Sequence, residues 1–315
     1  MTVAIDISAP DLMRQMGRRV GRHTEKSFDW DAFPASRGFP ELARAQMRYI
    51  GAGGSPKRDD PGTLAPGRFS LSLIHQPAGA YAACHSHEVV EHFLVLEGVL
   101  TIGWMFDDEV IEARLGPLDM VLNQAGRPHG FRNDGVAPVL MSISVGSGMP
   151  KPPVYVCHPR DGDGPRARRF GAAPGRTRAF DPASDDPRQR EFARHIVRHA
   201  EQRPVREAGF ARRVYVGEGG APPGSYRMDM IRLPPGGGVR SYRRAVEDAY
   251  FVLEGVLTAG WEESAGSAEE RLGPRDVIVN PPGQTHHFRN EGVGDAVFLL
   301  LAGTAEPADM RFATR

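Results

Sequence analysis

Residues 94–104 read LVLEGVLTIGW, and the same stretch returns as FVLEGVLTAGW at residues 251–261. The match extends in both directions at a constant offset of 157 residues, so that Leu115-Gly116-Pro117, for example, recurs as Leu272-Gly273-Pro274. Similarity of a chain to itself at a fixed spacing is the signature of a repeated structural unit. The sequence therefore predicts a tandem duplication.

The two copies differ in the length of one loop. Upstream of the repeat, MRYIGAGG at 47–54 is echoed by RVYVGEGG at 213–220, where the offset is 166 residues. The first copy is thus nine residues longer between this stretch and the repeat. Because Pro, Gly and Asp cluster within Ser55–Arg68, we place the longer loop of the first copy there.

The hydrophobic pattern within each copy is that of short strands. The strand segments are rich in β-branched, leucine or aromatic residues and are bounded by Gly, Pro or Asp. In the first copy they are Phe69–Ile74, Glu91–Leu96, Val99–Trp104, Val110–Ala113, Met120–Asn123 and Val139–Val145. Short, evenly spaced strands without intervening helices predict an all-β fold, with an antiparallel barrel or jelly roll in each half.

Two helices are predicted outside the barrels. Ser8 and Asp11 form a capping signal with Pro10 in the first turn, and apolar residues follow at helical spacing. A more polar helix is predicted near 187–202, in the connection between the copies. The predicted division of the chain is a first domain at 1–157, a linker with a short helix at 158–205, and a second domain at 206–315.

Composition limits the functional classes. The 315 residues include 39 Lys and Arg and 39 Asp and Glu, so no overall positive charge is available to hold nucleic acid or an anionic membrane. The N-terminal residues lack the features of a secretory signal, and no apolar run is long enough to span a bilayer. The two cysteines, Cys84 and Cys157, form no CxxC motif. These features predict a cytoplasmic protein with reduced thiols.

The first copy concentrates side chains that bind metals. His85 and His87 are two positions apart, so on a strand they project from the same face. Glu91 follows after a short turn, and His129 comes from another strand. Three imidazoles and one carboxylate suit a divalent ion of iron, manganese, nickel, copper or zinc. They would leave two adjacent positions of an octahedron for substrate, water or dioxygen.

The spacing of these residues resembles the two motifs of the cupin superfamily. The first motif, G(x)5HxH(x)3E(x)6G, is met at every position from Gly79 to Gly98. The second motif, G(x)5PxG(x)2H(x)3N, is met at Gly126, His129 and Asn133. The chain therefore resembles the cupins in the stretch that carries the candidate ligands.

This resemblance extends to the tandem arrangement, which is similar to that of the bicupins, and covers 79–133 and 236–290. Leu118 and Gln124 replace the first glycine and the proline of the second motif, which concerns the local turn and not the ligand. The resemblance implies a double-stranded β-helix, or jelly roll, in each half. It also implies that the metal ligands are His85, His87, Glu91 and His129.

The second copy serves as an internal comparison. At offset 157 the four ligand positions hold Tyr242, Arg244, Asp248 and His286. Arginine keeps its proton and cannot ligate a metal, and its charge would repel a cation. We therefore predict one metal centre per chain and no catalytic metal in the second barrel. Arg244 could instead create an anion site, or form an internal ion pair with Asp248.

Further residues of the first copy are candidates for contacts with a substrate. Phe93 and Val95 share the strand face of Glu91 and are expected to line an apolar pocket beside the metal. Gln124 and Arg127 lie in the turn that leads to His129. Arg127 could meet a substrate carboxylate, although an ordinary surface arginine is the alternative.

The function hypotheses follow from this ligand set. The leading one is a metal-dependent dioxygenase, with iron(II), that cleaves a small aromatic, enolic or diketone substrate while Glu91 stays ligated or accepts a substrate proton. A second is isomerisation, cyclisation or decarboxylation without oxygen, on manganese, nickel or zinc. A third is a metal-bearing binding or sensory module without turnover. The expected partner is a small molecule, and the resemblance implies a homodimer or higher oligomer.

Overall fold

A computed structural model of the chain describes residues 8–57, 60–107, 109–170, 176–264, 266–307 and 310–312. The helices are α1 (Ala9–Gly17), α2 (Gly164–Arg168) and α3 (Pro187–Ala193), with 3₁₀ turns at His23–Glu25, Pro34–Ser36, Pro40–Leu42 and Pro159–Asp161. Within the described ranges, no helix has the length and apolar character needed to cross a bilayer.

Strands are the main regular secondary structure of the described chain. The strands before residue 200 are β1 (Val20–Gly21), β2 (Ala45–Ile50), β3 (Ser70–Gln76), β4 (Tyr81–Ser86), β5 (Glu91–Glu97), β6 (Leu100–Phe106), β7 (Glu109–Leu115), β8 (Met120–Asn123), β9 (His129–Arg132), β10 (Val139–Val145), β11 (Val154–Tyr155), β12 (Thr177–Ala179) and β13 (Ile196–Val197). The later strands are β14 (Val205–Glu207), β15 (Phe210–Val216), β16 (Arg227–Leu233), β17 (Gly238–Arg243), β18 (Asp248–Glu254), β19 (Leu257–Glu263), β20 (Gly266–Leu272), β21 (Val277–Asn280), β22 (Thr285–Arg289), β23 (Ala296–Ala302) and β24 (Arg311–Phe312).

The first barrel is formed by the described parts of residues 27–202 and by residues 220–225. One of its sheets, the β5 sheet, has the strand order β13-β8-β5-β10-β3-β2, and the other, the β4 sheet, has the order β11-β4-β9-β6-β7-β12. Consecutive strands β3, β4, β5 and β6 alternate between the two sheets, which is the winding of a jelly roll. A cluster of buried side chains that includes Phe93, Trp104 and Phe131 forms the core.

The second barrel repeats this architecture. It consists of the described parts of 1–26, 203–219 and 226–315. Its sheets have the orders β1-β21-β18-β23-β16-β15-β14 and β20-β19-β22-β17-β24. Strands β16 to β23 correspond one by one to β3 to β10, and all but β22 begin 157 residues after their counterparts. The all-β fold of two jelly rolls with a few short helices, as predicted, is confirmed.

Each barrel is completed by a helix and a short strand from outside its eight central strands. α3 precedes β13, which pairs with β8 of the first barrel. α1 precedes β1, which pairs in the same register with the equivalent strand β21 of the second barrel. Arg198 and Arg22 then donate to the carboxylates of Asp119 and Asp276, which are again equivalent residues. The helix and strand are therefore a duplicated segment as well.

This arrangement differs from the predicted domain boundaries. The described parts of residues 158–202, predicted as a linker, pack within the first barrel, and the described part of residues 1–26 packs within the second. The physical reason is that α1 and α3 each bury an apolar face, through Met16 and Phe192 respectively, against barrel core residues. Hydrophobic spacing identifies such a face but does not say which barrel it contacts.

Two turns explain why the repeat keeps particular residues. Gly98 has a φ of +83°, and a Cβ there would lie 2.8 Å from the carbonyl oxygen of Pro138. Leu118, which stands where the cupin motif has glycine, also adopts a left-handed conformation with a φ of +66°, as does the equivalent Arg275 at +69°. The turn geometry of the motif is therefore kept although its glycine is not.

Candidate metal centre

The four predicted ligands come together at one end of the first barrel, from both of its sheets. His85 lies on β4 and is the direct cross-strand partner of His129, the first residue of β9. His87 follows the last residue of β4, and Glu91 begins β5 in the opposite sheet. The jelly-roll winding thus places His85 and His129 on one sheet, His87 just after the end of a strand of that sheet, and the carboxylate of Glu91 on the opposite sheet.

The distances within this cluster are short. His85, His87 and Glu91 each offer a ligand atom, and these three atoms lie within 4.8 Å of one another. His129 adjoins them, with its Nε2 3.1 Å from Glu91 Oε2 and its ring centroid 4.7 Å from that of His85. All four side chains are buried. Four donor groups that converge in this way form a compact ligand set for one cation.

The hydrogen bonds around the imidazoles fit a metal ion. The Nδ1–H groups of His85 and His129 donate to the carbonyl oxygens of Ala83 and Arg127 at 2.7 Å and 2.8 Å. In a neutral ring the Nε2 atom then presents a lone pair. His129 Nε2 faces Glu91 Oε2, which is also an acceptor, so a proton or a metal cation must lie between them. Backbone carbonyls that fix the tautomer in this way are typical of metal-binding histidines.

Electrostatics favour the protonation states that bind metals. Burial lowers the pKa of His85 well below its usual range and also lowers the pKa of His87. Burial alone would raise the pKa of Glu91, but the charge that His87 and His129 carry when protonated, together with the hydrogen bond to His129, outweighs it and brings that pKa down to about 2. Neutral imidazoles and an ionised carboxylate are the forms in which these groups coordinate a divalent ion.

The cluster faces a small chamber inside the barrel, with a cavity volume of about 20 Å³. That volume is roughly the space of one water molecule. Two polar residues that the sequence analysis did not select, Arg44 and Gln46, line the chamber beside the ligands. Its apolar walls are formed by Phe33, Ile74, Phe93, Phe131, Ile143 and Pro153. The backbone of Gly54 completes one side, where a Cβ would lie 3.3 Å from His87 Cε1.

Arg44 is the most unusual of these residues. Its side chain is 6% exposed, and its guanidinium carbon lies 4.1 Å from the ring centroid of Phe33. Its hydrogen bonds to Ser36 Oγ and the Leu42 carbonyl are both long, at 3.4 Å. Within the described part of the chain, no carboxylate lies within ion-pair distance of it. Burial lowers the pKa of Arg44, and the neighbouring Tyr155 and Glu91 partly oppose that shift.

The four predicted substrate contacts have different surroundings. Phe93 lines the chamber, as expected from its strand face. Val95 is fully buried in the apolar core and is not among the described residues that line the chamber. Gln124 Nε2 lies 2.9 Å from His195 Nε2, and Arg127 donates to Glu191 Oε1 at 2.9 Å. Gln124 and Arg127 therefore hold the α3 segment against the barrel, and neither of them faces the ligand cluster.

Two residues missed by the sequence analysis left a signal in the repeat. At offset 166, Arg44 and Gln46 correspond to Phe210 and Arg212 of the second copy. The chemistry of these positions thus changes between the copies while the neighbouring glycines stay. The Oε1 atom of Gln46 is buried and has no hydrogen-bond partner among the described residues. It adds an available acceptor to the donor that Arg44 provides.

The equivalent position in the second barrel holds a closed polar network. Asp248 accepts hydrogen bonds from Asn280 Nδ2 at 2.7 Å and from His286 Nε2 at 3.2 Å, and pairs with Arg244 Nε at 3.1 Å. The hydroxyl groups of Tyr242 and Tyr250 lie 2.7 Å apart beside it. The ion pair of Arg244 with Asp248, one of the two alternatives considered, is the one observed. A guanidinium occupies the place of a ligand, which disfavours a metal there.

Comparison with known proteins agrees with this architecture. The family model described as "Cupin domain" matches residues 72–146 and 229–302, one stretch in each barrel. The comparison with curated protein sequences finds no match.

Solved structures also match along almost the whole chain. The oxalate decarboxylase of Lactobacillus farciminis, in complex with formate, is 12% identical with a TM-score of 0.66, over 93% of this chain and 88% of that one. A point mutant of the Bacillus subtilis oxalate decarboxylase is 13% identical with a TM-score of 0.64, over 93% and 79%. A structure used to study the Mn(II) centres of the latter enzyme is 12% identical, with the same TM-score and coverage. The chain therefore carries a cupin domain in each half, which is the tandem arrangement of a bicupin.

Proposed function

We propose that the first barrel is a metal-dependent enzyme that acts on a small organic acid, and that its reaction is a decarboxylation or a related step that needs no dioxygen. The observation that carries this proposal is Arg44, a buried guanidinium on the wall of the metal chamber. Decarboxylation was an alternative in the sequence analysis, and Arg44 together with the small chamber now makes it the better-supported hypothesis.

The environment of Arg44 argues for an anionic substrate. A buried charge without a counterion costs several kcal/mol, so proteins retain one where a ligand compensates it. The guanidinium presents a planar set of donors that matches the two oxygens of a carboxylate. The flanking Phe33 and Phe93 exclude water, which strengthens such an ion pair. Arg44 would therefore bind and orient the acid group of the substrate beside the ligand cluster.

The metal is proposed to be held by His85, His87, Glu91 and His129. A bound divalent ion would supply Lewis acidity and stabilise negative charge that develops on the substrate. Gln46 Oε1 can accept a hydrogen bond from a hydroxyl or a protonated group of the substrate. Manganese is our first choice of metal, with iron second, because Mn(II) centres are studied in a solved structure of the same fold.

Chamber size bears on the choice between reactions. A cavity of about 20 Å³ holds no aromatic ring unless the walls move. Phe33 and Pro153 also line an outer cavity of about 240 Å³, so displacement of these two residues would join the two spaces. A substrate of a few heavy atoms needs the smallest displacement. Dioxygenase activity on an aromatic or diketone substrate stays a prediction of the sequence analysis, and the test below includes it.

The test measures carbon dioxide release and oxygen uptake in separate assays. Protein loaded with manganese or iron under anaerobic conditions is given C2 to C4 mono- and dicarboxylic acids, and carbon dioxide release is followed. Oxygen uptake is then measured with diketones and catechols. We expect anaerobic turnover of an acid, and a loss of about tenfold or more in kcat/KM for Arg44→Gln, since a charge-assisted hydrogen bond contributes roughly 1.5–3 kcal/mol.

The matched control is Arg37→Gln. Arg37 lies in the same stretch between His23 and Ala45 as Arg44, but it is paired with Asp31 at the surface. It should leave kcat/KM unchanged. Oxygen-dependent turnover of diketones alone would replace the decarboxylase proposal by the dioxygenase. Metal-loaded protein that binds acids but turns over none would favour a binding module. The predicted homodimer is kept as a proposal, and sedimentation of the whole chain tests it.

A further inference from the structure

The second barrel contains a much larger cavity than the first. Its volume is about 1090 Å³, against about 20 Å³ around the metal cluster. Specific ligand sites are typically concave, mostly apolar pockets of roughly 300–1,000 Å³ with a few polar groups. We propose that this cavity is a second, metal-independent site, and that it binds an amphipathic organic anion, a carboxylate attached to an apolar chain or ring.

Two chain-length differences account for the cavity. The stretch between His23 and Ala45 is ten residues longer than the equivalent stretch between His199 and Ala211. The loop after β2 is nine residues longer than the loop after β15. In the first barrel these two stretches contribute Phe33, Arg44 and Gly54 to the chamber wall. The second barrel has the same eight central strands without those additions, so the space above its floor stays open.

One residue that lines the cavity, Arg244, is already engaged in a buried polar network. Asp248 is held by Asn280, His286 and Arg244 in the network described above. A ligand that displaced these donors would leave a buried carboxylate without partners, which is costly. Polar recognition of a ligand must therefore come from the walls of the cavity.

The walls provide cationic groups for an anion. Arg212 is engaged with Glu207 at 3.1 Å and Asp229 at 3.6 Å. Arg227 donates to the carbonyl of Ala305 at 3.0 Å, and the guanidinium carbon of Arg240 lies 5.3 Å from the ring centroid of Phe312. Across the described ranges, neither Arg227 nor Arg240 has a carboxylate within ion-pair distance. Both line the cavity and can form an ion pair with an anionic ligand.

Within the described ranges, the acidic residues of the wall form no ion pair with Arg227 or Arg240. Three carboxylates, those of Glu207, Glu218 and Asp229, face the cavity alongside four arginines. Burial raises the pKa of Asp229, although the nearby arginines partly oppose that shift. Glu207 and Asp229 pair with Arg212, and Arg244 pairs with Asp248. Among the described wall residues, Arg227 and Arg240 are therefore the arginines left to pair with a ligand.

Apolar side chains form the rest of the wall, which is why the ligand should be amphipathic. They include Phe210, Val214, Met228, Ile231, Leu300 and Met310. Burial of apolar ligand surface contributes roughly 25 cal/mol per Å² before the costs of association. A small inorganic anion would use only the arginines and leave this surface wet. A fatty or aryl carboxylate would use both.

The test uses 1-anilinonaphthalene-8-sulfonate, a fluorescent aromatic anion, on the whole chain. We expect saturable binding near one probe per chain, displaced by octanoate and far less by 1-octanol. The double variant Arg227→Gln/Arg240→Gln should weaken binding about tenfold or more, because charge-assisted contacts are lost. The matched control is Arg232→Gln. Arg232 lies on β16, as Arg227 does, but it is paired with Asp295 at the surface, so the change should leave binding unchanged.

His87→Ala separates this site from the metal centre. That variant should keep full probe binding whether or not the first barrel proves to be an enzyme. Equal displacement by octanoate and 1-octanol, unweakened binding in the double variant with an unchanged circular dichroism melt, or absence of saturable binding would each overturn the proposal. So would loss of binding in His87→Ala, since it would place the probe in the first barrel.

Discussion

Glu91 and Asp248 occupy the same position in the two barrels, and their hydrogen bonds explain why one suits a metal. Asp248 accepts from Asn280 and His286 and pairs with Arg244. In the described part of the first barrel, by contrast, the equivalent Nδ2 of Asn123 has no hydrogen-bond partner. Glu91 therefore keeps oxygen lone pairs available, whereas those of Asp248 are used by the protein itself. A carboxylate is a ligand only while such lone pairs remain.

At the same scale, two glycines allow a test of backbone strain. Gly79 and Gly98 both have a left-handed φ, but a Cβ at Gly79 would meet nothing within 4 Å, whereas one at Gly98 would press on the carbonyl of Pro138. We expect Gly79→Ala to lower the free energy of unfolding by about 1 kcal/mol. Gly98→Ala should cost at least about 1 kcal/mol more. Denaturant titration measures both, and equal losses would contradict the steric argument.

The ligand cluster could be predicted from the sequence, but its surroundings could not. The spacing of His85 and His87 is local, and strand alternation places these two side chains on one face. Glu91 follows after a short turn, at the start of the next strand. Arg44 lies at the end of the irregular stretch between His23 and Ala45, and no hydrophobic periodicity predicts the path of that stretch. Gln124 and Arg127 were predicted to contact a substrate, but they contact the α3 segment instead, because that segment docks on their turn. A comparison of the copies at offset 166, and not only at 157, would have pointed to Arg44.

Among the elements, α1 is the one whose contribution is most easily measured. Leu12 and Met16 on this helix are 1% and 0% exposed and belong to the core of the second barrel, while Met13 is 51% exposed. We expect Leu12→Ala and Met16→Ala each to lower the free energy of unfolding by roughly 2–5 kcal/mol, because each leaves a cavity. Met13→Ala is the matched control and should change it by less than about 0.5 kcal/mol.

The measurement is thermal and denaturant unfolding of the whole chain, with amide exchange to locate the effect. Destabilisation should be concentrated in β20 and β19, on which α1 packs, and in β21, the pairing partner of β1. If Met13→Ala proved as costly as Met16→Ala, the assignment of the buried helix face would be wrong. The existence and approximate start of α1 were predicted from its cap and spacing, and only its contact with the second barrel required the structure.

For the whole molecule, the duplication supplies its own control for metal binding. A ligand that binds the folded state slows local opening near its site. We expect Mn²⁺ added to metal-depleted protein to slow amide exchange in β4, β5 and β9 and to leave the equivalent β17, β18 and β22 unchanged. Hydrogen exchange with mass spectrometry measures this. His87→Ala should remove the protection, and equal protection of both barrels would contradict the prediction of a single metal centre.

The location of β1 in the second barrel has a consequence for biosynthesis. A ribosome adds about 5–20 residues per second, so β1 emerges on the order of tens of seconds before β21, its pairing partner. The segment of the first barrel, α3 with β13, emerges after the strand it pairs with and can dock at once. Until β21 has been made, the apolar face of α1 has no core of the second barrel to pack against. Two barrels with the same eight central strands are therefore completed by opposite orders of events, and the second can close only when α1 and β1, which are made long before β21, dock on it.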